Sequence, residues 1–386
     1  MAPQRPRPHA RHRTHGRRGK GDRSMSRRTG RRWARWPLIA LALLTLIAGG
    51  AGWYWYERLD GNIHADSATA RELLRYEQER PEPSTTGAQN ILLIGSDSRT
   101  EARNRKYGRA NGKRSDTAIL LHIAGDRRSA TAVSIPRDLM VELPSCRRPN
   151  GDSSGAQVNQ FNFAFSYGGA SCTIRTVERL TGVRVDHHMI VDFAGFKDMV
   201  NAVDGVEVCV PRAINDKDAK LHLKPGRQTL RGEEALGYVR ARKSLGDGSD
   251  TDRMARQQEF LASLVNKVKS NGVLLNPLRL APLLDAATKS VTTDPGLASL
   301  TDMYDMVRSL RDIPEADVRF LTVPRQPYRY NTNRDELVQP DAEELFTALR
   351  HDEEVPFVPR KVSPVQDSDG DAPAFEGTRP TDDICK

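Results

Sequence analysis

Acidic residues are all but missing from the first 35 positions, where Asp22 stands alone among 13 Lys and Arg. Past that tail the positive excess is missing as well. The remaining 351 residues hold 46 of the 59 Lys and Arg against 49 of the 50 Asp and Glu, so a whole-chain charge of +9 becomes −3 for the body. The body is therefore not net basic, and the case for nucleic-acid binding rests on the tail alone. Cysteine is missing from the first 145 residues, and the spacing of Cys146, Cys172, Cys209 and Cys385 matches no metal motif. No internal repeat is present, which excludes solenoid and propeller architectures. Charge is missing once more, from Trp36 to Tyr56.

That uncharged stretch reads WPLIALALLTLIAGGAGWYWY. About twenty residues rising about 1.5 Å each give about 30 Å, enough to cross a bilayer core. Trp33 and Trp36 at one end, with Trp53, Tyr54, Trp55 and Tyr56 at the other, sit as interfacial aromatic belts do. The Arg-rich tail is expected to be disordered and cytoplasmic, holding phospholipid headgroups, with everything after residue 57 outside. A cleaved signal peptide is the alternative, but the run is long for one and its bulky end lacks a small-residue cleavage pattern. All four cysteines then lie outside, where disulfides persist. Of the three pairings four cysteines allow, the expected one joins Cys146 to Cys172, closing a polar loop, and Cys209 to Cys385, tying down the C-terminal end. Free buried thiols are the alternative.

A chain of 386 residues has room for two domains or one large α/β domain. Residues 57–88 read as a charged stalk containing Pro and Ser, helical around Ala68–Glu79. The folded domain is expected over 89–355. Asn90–Ile94, Thr117–Ile123, Thr131–Ile135, Met189–Phe193, Val206–Val210 and Val318–Val323 read as strands, from their apolar, β-branched runs bounded by turn signals. Val158–Tyr167, Ile174–Leu180 (stopping at Gly182) and Phe196–Val203 read as helices, as do residues 253–270, 276–290, 296–311 and 341–351. This alternation predicts an α/β fold, a central mixed β-sheet with helices on both faces behind one N-terminal transmembrane helix. Residues 356–386 read as a flexible tail. Its Asp367-Ser368-Asp369-Gly370-Asp371 hints at a Ca²⁺ loop but lacks the later Glu in register.

The chemistry concentrates in YVRARKSLGDGSDTDRMARQQEF, Tyr238 to Phe260. As an extended strand, Tyr238–Arg242 would set Arg240 and Arg242 on one face, with Ala241 toward the core. A Gly/Ser/Asp loop follows over 244–249, then a helix from about Asp250, on which Arg253, Arg256 and Gln257 share a face near the N-terminus. Guanidinium forks beside free backbone N–H groups receive phosphate or pyrophosphate well. A solvated basic surface is the bland alternative. Upstream, Asp97 stands where a strand opens into a loop, Arg114-Ser115-Asp116 just before the second strand, and Pro136-Arg137-Asp138 just after the third. If these strand ends converge, two carboxylates and two arginines meet, a set that suits Mg²⁺ with phosphate oxygens.

In order, NILLIGSDSR, RSDTAILLHI, AVSIPRDLMVELP, VNQFNFAFSYGG, VDFAGFKDMVNAVDGVEVCVP and LRGEEALGYVRAR…TDRMARQQEF resemble the catalytic domain of the LytR-CpsA-Psr family over residues 88–270. The resemblance implies a membrane-anchored phosphotransferase that moves a glycopolymer from a polyisoprenyl-pyrophosphate donor to a peptidoglycan sugar hydroxyl, with Mg²⁺ or Mn²⁺ as cofactor and no nucleic-acid partner. Matched position by position, it implies that Asp97 and Asp116 bind the metal. Arg114, Arg137, Arg240, Arg242, Arg253 and Gln257 match the residues that hold the pyrophosphate. Arg240, Arg242, Asp116 and Asp252 carry the catalytic assignments, Asp116 or Asp252 as acceptor of the sugar hydroxyl's proton. The family places a lipid slot in its core, for which Phe161, Phe163, Phe165, Val191, Phe193, Phe196, Met199 and Val200 are candidates, although ordinary packing explains each of them singly. Many relatives have Lys where this chain has Gln157, before Val158-Asn159, and residues 100–113 form a longer Arg/Lys-rich loop than expected. Two other classes fit the same features. One is a lipid pyrophosphatase using water as acceptor. The other is a non-enzymatic cell-wall regulator, against which the outward topology argues.

Overall fold

The computed structural model describes residues 35–96, 115–148, 150–217, 219–241, 250–270, 277–360, 375–382 and 385. Two compact units divide at residue 55. The described part of the first belongs to helix α1 (Arg35–Asp60), in which Trp36–Asp60 form 25 residues long and apolar enough to cross a membrane. At about 1.5 Å per residue that is about 37 Å.

The second unit begins with β1 (His64–Ala65), α2 (Ser67–Leu74), β2 (Gln89–Ser96), β3 (Ser115–Ile123), β4 (Ala130–Ile135), β5 (Met140–Leu143) and β6 (Gln157–Gln160). Then come α3 (Asn162–Thr181), β7 (His187–Asp192), α4 (Phe193–Ala202), β8 (Val206–Val210), β9 (Ile214–Asp216), β10 (Leu221–Leu223) and β11 (Gly226–Leu230). Helices α5 (Gly232–Arg240), α6 (Asp250–Ser270) and α7 (Pro277–Ser290) lead to β12 (Val291–Thr293), α8 (Leu300–Arg311) and β13 (Val318–Thr322). Last are β14 (Arg325–Tyr328), β15 (Asn331–Leu337), α9 (Asp341–His351), β16 (Phe357–Pro359) and β17 (Phe375–Thr378).

Nine strands form one mixed sheet in the order β1-β12-β7-β2-β3-β4-β13-β17-β16. In its centre β2 and β7 run parallel, β3 runs against β2 and β4, and β13 runs parallel to β4. The centre is covered on both sides, so its strands are continuous apolar runs rather than half-polar ones. Leu92, Ile94, Leu120 and Val133 pack with Phe161, Ile174 and Val177 of the α3 region and with Leu345 and Phe346 of α9. The alternate residues Ile91, Ile119 and Ala132 face the other layer, with Ala262 of α6 and Met303 of α8. A separate cluster joins α4, the strands β8 to β11, α5 and Phe260 of α6.

Both cysteine pairs form, Cys146–Cys172 with Cα atoms 5.6 Å apart and Cys209–Cys385 with 5.3 Å. The first shapes α3. A Cβ on Gly168 would lie 2.8 Å from Cys172 Cβ and 3.3 Å from Cys146 Cβ, and Gly169 takes a left-handed φ of 64°, so the helix breaks where it meets the bridge.

Four expectations need correction. The stretch 57–88 is not a free stalk. Leu73 lies in the main core, β1 pairs with β12, and Arg80 makes a buried ion pair with Glu178 at 2.8 Å. Residues 157–160 are a strand paired with β5, and the helix starts only at Asn162, because Val158 faces solvent while Phe161 is fully buried. The tail 356–386 contributes two strands of the main sheet, β17 beside β13 and β16 at the edge. Finally, Tyr238–Arg240 end a helix and not a strand. Four consecutive residues from Ala235 to Tyr238 are buried, and Gly237 packs so closely on Leu221 and the Ala219 carbonyl that a Cβ would sit 3.2 Å from each. Tertiary burial on several sides overrides a Val-Arg-Ala-Arg alternation only four residues long.

Candidate functional site

Strands β2, β7, β4 and β13 all finish at one edge of the sheet, and β3 begins there at Ser115. Convergence of strand C-termini at one edge is where open α/β sheets bind ligands. Pro136 follows β4 immediately, and Arg137 sits in the turn beyond, its carbonyl accepting from Asn162 N at 3.0 Å. From that turn the guanidinium reaches across to β3. Nη1 donates to Asp116 Oδ1 at 2.8 Å, and Nε donates to Asp138 Oδ2 at 3.3 Å. All three side chains are partly exposed, so the cluster lies at the rim of the sheet rather than inside the core.

Helix α6 closes one side of this row. Gln257 Nε2 donates to the Val239 carbonyl at 3.0 Å, and Thr117 Oγ1 donates to Gln257 Oε1 at 3.5 Å, which ties the end of α5 to the start of β3. Arg256 donates to the Ala241 carbonyl and Arg253 is buried beside it. Burial pushes the Arg256 guanidinium below its ordinary pKa, against the pull of Tyr238, Asp252, Glu259 and Asp216. Burial also raises the Glu259 carboxyl, an effect Arg360 and Arg256 only partly offset, and it raises the Tyr238 hydroxyl. Arg253, Arg256 and Gln257 thus lie on one side of α6 as expected, but Arg256 is engaged with backbone. Arg240, the last residue of α5, stacks over Phe193 at 4.4 Å from the ring centroid. Ala241 is fully buried, as expected, although it follows a helix.

On the other side of Arg137 the structure adds residues that sequence reasoning missed. Asp335 donates its backbone N–H to the Asp138 carbonyl at 3.2 Å and pairs its carboxylate with Arg325. Arg334 stands 3.7 Å from Asp138 Oδ1, and the Gln160 amide, oriented with its oxygen toward Arg334, accepts from that guanidinium. These belong to the β14–β15 hairpin, a polar segment without hydrophobic period. Its density of Arg, Asp and Tyr just after a buried strand was the available signal.

Asp97, Arg114 and Arg242 lie outside the described residues. Asp252, near the start of α6, acts on Arg256 through charge. Among the described residues, no three or more His, Cys, Asp or Glu gather for a metal. The lipid-slot candidates are divided among packing clusters. Phe161, Phe163 and Phe165 pack in the main core, Phe196 and Val200 in the α4–α5 cluster, and Val191 and Met199 in the β7–α8 cluster, while Phe193 lies under Arg240.

A sequence model of the LytR_cpsA_psr family matches residues 60–351. The cell wall biosynthesis protein LcpA of Corynebacterium glutamicum is 36% identical over 264 residues, 62% of this chain and 50% of that protein. The polyisoprenyl-teichoic acid–peptidoglycan teichoic acid transferase TagT of Bacillus subtilis is 29% identical over 305 residues, 76% of this chain and 88% of that protein. The chain spans about half the length of LcpA and of LcpB of the same organism, whose name is probable cell wall biosynthesis protein LcpB. Among solved structures, the LytR-Csp2A-Psr enzyme from Actinomyces oris shares the fold with a TM-score of 0.56 at 21% identity, over 70% of this chain and 93% of that one. TagT bound to LI-WTA aligns with a TM-score of 0.52 at 26% identity, over 71% of this chain and 96% of that one.

Proposed function

The chain belongs to the LytR-CpsA-Psr family, and from that premise we propose that it is a membrane-anchored phosphotransferase moving a glycopolymer from a polyisoprenyl-pyrophosphate carrier to a sugar hydroxyl of peptidoglycan. The observation that carries this reading is the Asp116–Arg137–Asp138 cluster, partly exposed at the converging strand ends. Phosphoryl transfer asks a protein mainly for positioning and for charge on the phosphate oxygens. Arg137 supplies a fixed fork there, and the family's pattern assigns further phosphate contacts to Arg240 and Arg253 and to Arg114 and Arg242, which lie outside the described residues. The names of TagT and its relatives supply the substrate class.

In the reaction the acceptor hydroxyl gives its proton to a carboxylate, Asp116 or Asp252, while its oxygen bonds to the phosphorus that carries the polymer. The bond from that phosphorus to the oxygen of the polyisoprenyl phosphate breaks, and the lipid monophosphate leaves in line. Asp116 meets Arg137 through Oδ1, so a Mg²⁺ held by one or two carboxylates with substrate oxygens and water would be bound through its Oδ2; the family's pattern assigns Asp97, outside the described residues, as the second carboxylate. Such an ion would neutralise charge on the pyrophosphate. The catalytic domain lies outside the membrane and the Arg-rich tail inside.

The test is transfer from a synthetic polyprenyl-pyrophosphoryl glycan to peptidoglycan by the full-length protein in detergent. The polymer should become wall-linked, and Arg137→Ala should lose about a hundredfold or more in rate. Release of polymer to water at an equal rate without acceptor would make the protein a pyrophosphatase instead.

A further inference from the structure

From the site's outer side rises the β14–β15 hairpin. Its base is locked to the Arg137 turn by the Asp335–Asp138 backbone bond at 3.2 Å and a bridge between Leu139 and Asp335. Its two strands are locked to each other by Arg325–Asp335, by Gln326–Glu336 at 3.0 Å and by Arg329–Glu336 at 3.2 Å. At the tip, the rings of Tyr328 and Tyr330 stand edge to face with centroids 5.3 Å apart at 71°. Tyr330 is 79% exposed, and the exposed Asn331, Thr332 and Asn333 follow it. Pro327 pairs with Asp335, so the tip begins one residue beyond the site's edge and lies on the order of 10 Å from Asp138 at about 3.3 Å per residue.

We infer that Tyr328 and Tyr330 form a sugar-stacking subsite for the glycan strand of the acceptor, one or two sugar rings away from the hydroxyl that reacts. This rests on the transferase reading above. Two rings held on a stiff hairpin present flat apolar faces to the C–H faces of pyranoses at little entropic cost, and the neighbouring amides and hydroxyl suit sugar hydroxyls. Charge selects the acceptor over an anionic polymer. Arg325, Arg329 and Arg334 each face a carboxylate of Asp335, Glu336 or Asp138, so the tip offers rings and amides rather than surplus positive charge. Placement selects the same occupant. Arg240 and Phe193 follow the β7 side of the row β7-β2-β3-β4-β13 and the hairpin follows its β13 side, so a donor held at Arg240 leaves the hairpin to the acceptor.

The experiment is co-sedimentation of the full-length protein, in detergent, with peptidoglycan sacculi stripped of attached polymer. Tyr328→Ala/Tyr330→Ala should weaken binding about tenfold, from two ring contacts of about 0.7 kcal/mol each, while Tyr330→Trp should bind at least as well as the unaltered chain. Arg137→Ala should bind sacculi normally while losing transfer, so failure of the subsite and failure of the transferase reading give different results. Single Tyr330→Ala, at a position this exposed, keeps the test intact if the double variant melts early. Unchanged sedimentation of Tyr330→Ala and of the double variant would overturn the inference. So would displacement by lipid-free glycopolymer but not by soluble peptidoglycan fragments, which would make the occupant the donor.

Discussion

Arg137 bridges two strand ends by holding Asp116 of β3 at 2.8 Å and its own neighbour Asp138 at 3.3 Å. The guanidinium is thereby oriented in advance, and in the proposed reaction a phosphate would meet a fork whose rotamer freedom is already restricted. Arg137→Lys should therefore recover little of the rate lost in Arg137→Ala, because an ammonium cannot span both carboxylates and a phosphate in one plane. Steady-state transfer rates for the two variants check this. Recovery by Lys to within about threefold of the unaltered protein would show that only net charge matters there.

Arg240 closes α5 over Phe193. Replacing it with Ala should cost on the order of 3 kcal/mol in transition-state stabilisation, about a hundredfold in rate, with little change in melting temperature. Its neighbour behaves oppositely. Ala241 is fully buried and its carbonyl is held by Arg256, so Ala241→Arg should unfold the domain by burying an unpaired charge. Rate and thermal melt measured on both variants separate the two roles.

Gly168 has no room for a side chain beside the Cys146–Cys172 bridge, since an added Cβ would approach Cys172 Cβ to 2.8 Å. Gly168→Ala should destabilise by about 1–3 kcal/mol through overpacking. A melting temperature equal to that of the unaltered protein would show that the kinked helix yields freely.

Acid–base pairs set a stability window at the opposite edge of the sheet. Burial alone would raise the Asp66 carboxyl, but His188, its Nε2 3.4 Å from Oδ2, and the Thr69 N–H at 3.0 Å outweigh it and bring it down to about 2 from 3.8. A carboxyl depressed in the folded state stabilises above its unfolded pKa, and that contribution disappears as pH falls through the folded value. Asp66→Asn should therefore be about 1–2 kcal/mol less stable at pH 6, discounted for solvent screening, with the gap closing toward pH 2. His187 works in the other direction. Its hydrogen bond to Asp294 raises its pKa above 6.5 against the desolvating effect of burial, so its stabilisation is complete below 6.5 and fades as pH rises past the folded value. Denaturant titrations of Asp66→Asn and His187→Gln from pH 2 to 9 read both slopes.

Much of this was legible in the chain because the central strands are locally self-evident. Val206–Val210 is a strand with the expected ends, and β2, β3 and β4 differ from expectation only at their margins, where apolar runs meet turns. Asp116 and Arg137 were legible as well, since each sits one or two residues from the end of such a strand. The helix at Tyr238 was not, because what makes it helical is its fit against Leu221 and Ala219, residues some twenty positions earlier. The β14–β15 hairpin was illegible for a related reason. Its strands are held by cross-strand ion pairs and by Asp138, nearly two hundred residues upstream, and leave no hydrophobic period to read.

The bond between Cys209 and Cys385 has a topological consequence. It makes the 176-residue interval between them a closed covalent ring, with β8 at one end and the C-terminal segment at the other. Helices α5 and α6, with Arg240, Arg253 and Gln257, lie within that ring. A single peptide-bond cleavage anywhere inside it opens the ring into a longer linear thread but frees no fragment. After a first cut there, α5 and α6 stay covalently joined to the part of the chain that precedes Cys209.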